Sequence, residues 1–208
     1  MKQQQDYIQD ISEIRSMMER STKFLSLSGW AGIMAGVYAL IGAYLAYKVL
    51  YFNPDEIVYA SLSENEYSEG MLKLIVLAGS VLILAVGTAI FFSNRRAVKR
   101  NEKLWNATSR RLLVNMGIPL VVGGILVLIL ILKGLIGLVA PLTLIFYGLS
   151  LYIASRYTFE DVKMLGLIQI CLGLISAYYI GYGLLFWALG FGVAHIAYGI
   201  YIHFKYER

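Results

Sequence analysis

Five stretches of this chain contain no Asp, Glu, Lys or Arg: residues 24–47, 74–93, 112–132, 134–155 and 164–204. About twenty apolar residues in helical conformation cross the roughly 30 Å hydrocarbon core of a bilayer. Each of the first four runs therefore predicts one transmembrane helix. The fifth is about twice that length and must hold two, with the break near Tyr179, Ile180, Gly181, Tyr182 and Gly183. The predicted spans are about 26–50, 72–93, 112–132, 134–155, 163–181 and 183–204. The expected fold class is an all-α integral membrane protein with six transmembrane helices, residues 24–208 forming one membrane domain.

The composition agrees: of 208 residues, 59% are hydrophobic and only 15% charged, which is low for a soluble domain. The polar opening Met1-Lys2-Gln3-Gln4-Gln5-Asp6 and the length of the first apolar run argue against a cleavable secretion signal. The lone Cys171 lies mid-span, where it reads as a small apolar residue.

The net charge of +5 is explained by topology rather than by nucleic acid, for which no partner role is expected. One side of the spans carries Lys2, Arg15, Arg20, Lys23, Arg95, Arg96, Lys99, Arg100, Lys103, Arg110, Arg111, Arg156, Lys163, Lys205 and Arg208. The other has only Lys48, Lys73 and Lys133, with the acidic residues Asp55, Glu56, Glu64, Glu66 and Glu69. Positively charged loops stay in the cytoplasm. The fifteen-to-three bias thus predicts a bacterial inner-membrane protein with both termini cytoplasmic.

Two cytoplasmic features stand out. Ile8, Ile11, Ile14, Met18 and Leu25 recur at helical spacing among charged residues, so residues 1–23 predict an amphipathic helix. It would lie on the inner leaflet or bind a second copy or another protein. The loop from Arg95 to Arg111 interleaves cations with Trp105. It is read as a retention signal that touches membrane lipid, with a cytoplasmic protein partner as the other option.

The spans also resemble one another. The first, third and fifth carry glycines seven residues apart: Gly29 and Gly36, Gly117 and Gly124, Gly166 and Gly173. Seven residues is two helical turns, so each pair shares a face. In lipid such faces let helix backbones approach closely, so these six are read as helix-packing residues. The even spans end alike: Gly87 before Phe91-Phe92 and Arg95, Gly148 before Tyr152-Ile153 and Arg156, Gly199 before His203-Phe204 and Lys205. The expected architecture is therefore three repeated hairpins, the first enlarged by an outer loop over residues 53–70. This pattern resembles the HdeD-like family of small bacterial membrane proteins. The resemblance covers residues 26–206 and implies the three-hairpin fold and a link to acid stress, with no catalytic residue to carry over.

Chemistry within the spans is sparse. Intramembrane ionisable residues usually mark transport or catalysis, and no Asp, Glu, Lys or Arg lies mid-span. No catalytic residue, cofactor or metal site is expected. His195 and His203 are eight residues and about 12 Å apart along one helix, too far to share an ion. The candidate polar cluster is His195, Tyr198, Tyr147, Tyr38 and Gln169, deep groups whose polar atoms need partners. Pro119 and Pro141 are expected to kink their spans. The sequence supports a non-enzymatic structural or regulatory membrane protein. The alternative is a small-solute channel or transporter with a pathway between the hairpins.

Overall fold

In the computed structural model, residues 27–49, 64–99 and 104–207 are described. The proposed amphipathic helix of residues 1–23 lies outside them. The described residues are all helical apart from turns and caps. They form α1 (Gly29–Lys48), α2 (Glu64–Lys99), α3 (Ala107–Leu132), α4 (Val139–Ala154) and α5 (Val162–Tyr178). A last continuous segment comprises α6 (Gly183–Trp187), a π-helical stretch Ala188–Ala194 and α7 (His195–Tyr206). Five helical segments are long and apolar enough to cross a membrane, counting α6 through α7 as one, while α5 is a shorter apolar helix of 17 residues. Only helices, or closed barrels, satisfy their backbone groups within lipid. The class defined is a multi-pass α-helical membrane protein.

The helix ends follow local chemistry. Asn106 opens α3 with a reciprocal capping box: its side chain accepts from the Ser109 N–H at 2.8 Å, and the Ser109 hydroxyl accepts from the Asn106 N–H at 2.9 Å. At the far end Gly134 adopts φ 74°, Gly134 N–H reaches Ile131 O at 3.0 Å and Leu135 N–H reaches Leu130 O at 2.9 Å. That is a Schellman termination, which needs a residue tolerant of left-handed backbone. A 3₁₀ turn, Ile136–Leu138, then leads into α4. Between α5 and α6 the chain turns through a second one, Ile180–Tyr182, within the predicted break.

Two expectations are corrected. The outer loop proposed for residues 53–70 is in part helical, because α2 begins at Glu64. Pro141 is the third residue of α4, in the first turn, where its missing N–H has no helical partner to lose. Of the two described prolines, Pro119 lies in a helix interior.

Packing concentrates in two seams. In the first, α1 meets the final helical segment: a Cβ on Gly29 would strike the Gly199 carbonyl, and one on Gly36 would lie 2.6 Å from the Gly192 carbonyl. In the second, α5 meets α4. A Cβ on Gly166 would lie 2.8 Å from the Gly148 carbonyl, one on Gly148 2.7 Å from the Gly166 carbonyl, and one on Gly173 2.9 Å from the Pro141 carbonyl. Real Cβ atoms do not tolerate such separations, so glycine is what permits the backbone contact. The outer helices differ. α2 packs on α1 and α3 on α4, and no packed interface joins α2 to α3 among the described residues. Gly117 and Gly124 have nothing within 4 Å of where a Cβ would sit, so within this chain they are not packing residues. The packing glycine of α3 is Gly123, against the ring of Phe146.

Candidate functional site

The polar groups of the membrane interior meet where α4, α5 and the π-helical stretch converge. Gln169 on α5 is 0% exposed, and its Nε2 donates to the Gly190 carbonyl at 2.8 Å. His195, the first residue of α7, is buried, and its Nδ1 lies 2.9 Å from that same carbonyl. Its Nε2 lies 3.0 Å from the Tyr147 hydroxyl on α4. These contacts fix the tautomer by elimination. A carbonyl oxygen only accepts, so Nδ1 carries the proton and donates to Gly190, leaving Nε2 to accept from the Tyr147 O–H. Gln169 Nε2 and His195 Nδ1, 3.3 Å apart, are then two donors sharing one acceptor rather than partners.

Position 190 is tight: a Cβ there would lie 2.5 Å from both Gln169 Oε1 and Leu144 Cδ2, so a larger residue requires those two side-chain ends to move. It lies in the π-helical stretch, a winding that recurs at functional positions. Aromatic rings complete the surroundings. Phe191 stacks on the His195 ring at 5.9 Å and 13°, and lies 5.0 Å from both Tyr147 and Trp187.

Of the five residues in the proposed cluster, the structure joins His195, Tyr147 and Gln169. Tyr198 packs one turn away against Leu151, Phe159, Val162, Leu165 and Ile202, its hydroxyl buried without a partner. Tyr38 is half-buried on α1 and makes no hydrogen bond to the group. Gln169 Oε1 and Ser176 Oγ are likewise buried without partners. Leaving such atoms unpaired in a low-dielectric interior is costly. The group binds and orients protons at fixed atoms, and it ties three helical segments together. Among the described residues no cluster of His, Cys, Asp or Glu has metal-binding geometry.

A second network lies at the end of the bundle and involves residues that sequence reasoning left unassigned. Arg96 Nη1 donates to Glu207 Oε1 at 2.6 Å and to the Leu27 carbonyl, and Nη2 donates to the Tyr206 carbonyl at 2.9 Å. Glu207 Oε1 also accepts from the Gly29 N–H at 2.7 Å, capping α1 from the opposite end of the chain. Its Oε2 accepts from His203 Nδ1 at 2.6 Å. Partial burial pushes the Glu207 pKa upward, but bonds from His203, Gly29 and Ser28 and the charge of Arg96 outweigh it and hold it below the ordinary carboxylate value. Asp161, between α4 and α5, accepts from Lys205 at 2.9 Å, Tyr206 at 2.8 Å and Tyr201 at 3.1 Å. Burial again opposes, and these bonds with the Lys205 charge again prevail, so its pKa is also lowered. Nothing in the sequence singles these two acids out from the others on the basic side, such as Glu102 and Glu160. Their partners, up to 178 residues distant, were not legible either.

No family model, curated protein or solved structure matches this chain.

Proposed function

We propose that this is a six-span protein of the bacterial inner membrane, made of three repeated hairpins with both termini in the cytoplasm, and that its role is structural or regulatory rather than enzymatic. The HdeD-like resemblance supports the three-hairpin reading and suggests a link to stress.

The observation that carries the proposal is the pair of glycine seams. In one, Gly29 and Gly36 face Gly199 and Gly192; in the other, Gly166 and Gly173 face Gly148 and Pro141. Both step by seven residues on each helix, and both join an odd span of one proposed hairpin to an even span of another, as contacts between copies of a repeated unit would. Backbone contact at both seams leaves little room for a pathway between those helices. The interior group at His195 then serves to orient and lock the helices. Contact with the cell runs through the cytoplasmic side: residues 1–23 for a second copy or another protein, and the basic region Arg95–Arg111, expected as a loop but helical up to Lys99 in α2 and from Ala107 in α3, for lipid or a protein partner.

Three buried polar atoms without partners, Gln169 Oε1, Ser176 Oγ and Tyr198 Oη, favour the second reading, a small-solute channel or transporter. Two experiments separate them. Proteoliposomes should hold proton and small-solute gradients as well as empty vesicles. Purification from native membranes in mild detergent should retain a partner, or a second copy, that is lost when residues 1–23 are deleted. A saturable solute flux abolished by H195A would overturn the structural reading in favour of transport. Topology is tested in a C171A background. A cysteine at Glu64 should react with an impermeant maleimide in intact cells, and one at Lys99 only after lysis.

A further inference from the structure

Both seams obey one rule of contact. A glycine pair on an odd span meets an even span of another proposed hairpin: Gly29 and Gly36 of α1 on Gly199 and Gly192, and Gly166 and Gly173 of α5 on Gly148 and Pro141 of α4. One odd and one even span have no such partner. On α3, Gly117 and Gly124 have nothing within 4 Å of a would-be Cβ, and on α2 the same holds for Gly87. Seven residues before Gly87 stands Ser80, exposed, with its hydroxyl turned back to the Leu77 carbonyl at 2.7 Å, so it too presents a small surface. Ser80 and Gly87 thus repeat the spacing of Pro141 and Gly148, and of Gly192 and Gly199.

The packing within each hairpin places these bare faces in the seam position independently of that spacing. On α1, Gly42 faces the hairpin partner, a Cβ there lying 2.8 Å from Val81 Cγ2 of α2. On α3, Gly123 does the same, a Cβ there lying 2.5 Å from Phe146 Cβ of α4. Gly42 follows Gly36 by six residues, and Gly123 follows Gly117 by six. In both helices the hairpin face and the glycine pair are therefore about 120° apart, in the same sense. On α1 that second face is a seam; on α3 it is bare. α2 agrees, since Val81, which faces α1, precedes Gly87 by six residues.

Each of these two helices is fixed to its own neighbours. Arg96 ties α2 to Glu207 at 2.6 Å, and Leu112 and Met116 of α3 pack with Ala154 of α4 and with Tyr157. Closing α2 on α3 within the chain would disturb those contacts, whereas a second copy reaches both faces and disturbs neither. We propose that the glycine faces of α2 and α3 bind a second copy of this chain, α3 of each protomer packing on α2 of the other about a two-fold axis along the membrane normal. Under that symmetry each contact occurs twice, so both unmatched spans find the partner that the seam rule requires and the series of seams continues across the dimer. The exposed basic ends of α2 and α3 approach one another in this arrangement. Along the helix axes, however, Arg95 is about 12 Å from Gly87 and Arg111 about 9 Å from Gly117. At headgroup level salt screens such charges beyond about 10 Å, while in lipid close backbone packing drives association. In dilute detergent the copies part, and the single chain is what unfolds. This dimer rests on the three-hairpin reading above and is separate from any contact made by residues 1–23.

The test is disulfide trapping in native membranes between two differently tagged full-length copies, both in a C171A background. The seams set Gly148 against Gly166 and Gly199 against Gly29. In the same register G87C in one copy should link to G117C in the other, and S80C to G124C. S80C with G117C, displaced by seven residues, should not link. Adding G87L should lower the S80C–G124C link about fivefold or more, by overfilling the contact. Deleting residues 1–23 should leave the links in place. No linking, equal linking in the displaced pair, no response to G87L, or loss of the links with residues 1–23 would each overturn the proposal. So would a chain carrying both G87C and G117C that links only within itself, because that outcome means closure inside one chain. None of these results bears on topology, which labelling of E64C and K99C reports separately.

Discussion

Glycine does opposite things in two parts of this molecule. At the α4–α5 and α1–α7 seams, Gly148, Gly166, Gly29 and Gly199 touch backbone carbonyls of the facing helix. On α2 and α3, Gly79, Gly87, Gly117 and Gly124 have nothing within 4 Å of a would-be Cβ. Without a hydrophobic drive between helices in lipid, close backbone packing is what holds a bundle together. The first set holds the bundle together, while within a single chain the second only weakens its own helices, since glycine is a poor helix former. The same residue, at the same spacing, thus marks two regions of very different cohesion. The packed half also contains the His195 group.

The largest effect should come from filling a seam. Gly148→Leu drives a side chain into the Gly166 carbonyl and Ile170, and should cost about 3 kcal/mol or more. Thermal unfolding in detergent, followed by helical circular dichroism, would read it; an unchanged midpoint would mean that the seam is looser than described. Gly87→Leu, the matching change on α2, should leave the midpoint close to wild type.

Next comes the network that joins the two ends of the chain. Glu207→Ala removes the partner of Arg96, His203 and the Gly29 N–H together, and should destabilise by about 2 kcal/mol. Both Glu207 and Asp161 have pKa values below those of an unfolded chain. Their contribution is therefore complete above the ordinary carboxylate pKa and is lost as pH falls through the lowered values. Unfolding midpoints measured from neutral pH downward should drop less steeply in E207Q/D161N than in wild type. Parallel curves would remove these groups from the account.

A smaller effect is expected in the interior. His195→Ala breaks the hydrogen bond to Tyr147, and an interhelical bond in a membrane averages about 0.6 kcal/mol. A loss several times larger would make His195 a keystone of the fold rather than a locally bonded group. Tyr147→Phe, which keeps the ring and removes only the hydroxyl, should reproduce most of the His195→Ala effect.

The gross layout was legible because charge is so costly in hydrocarbon: the charge-free runs fall on described helices, although α2 extends well past its run at both ends, and the Tyr179–Gly183 break coincides with a 3₁₀ turn. The membership of His195, Gln169 and Tyr147 in one neighbourhood was also approachable, since deep polar groups must find one another. Other features were not. Spacing reveals which residues share a helix face but not what that face meets, so Gly117 and Gly124 were read like Gly166 and Gly173, and Gly123 was overlooked. The π-helical stretch has no sequence period to betray it, and the Gly29–Glu207 bond joins residues 178 apart. Tyr38 was grouped by depth alone, and depth does not specify a neighbour.

The claim that cohesion resides in the two seams and not in the glycines themselves is tested most directly by a matched pair of methyl additions. Gly166→Ala and Gly117→Ala occupy equivalent places in the proposed repeat and differ only in their surroundings: the Gly148 carbonyl 2.8 Å away in one case, open space in the other. In thermal unfolding under one detergent condition, G166A should lower the midpoint, whereas G117A should raise it slightly, by an amount equivalent to about 0.5–1 kcal/mol of helix propensity. Shifts of the same sign and size in both variants would contradict the account.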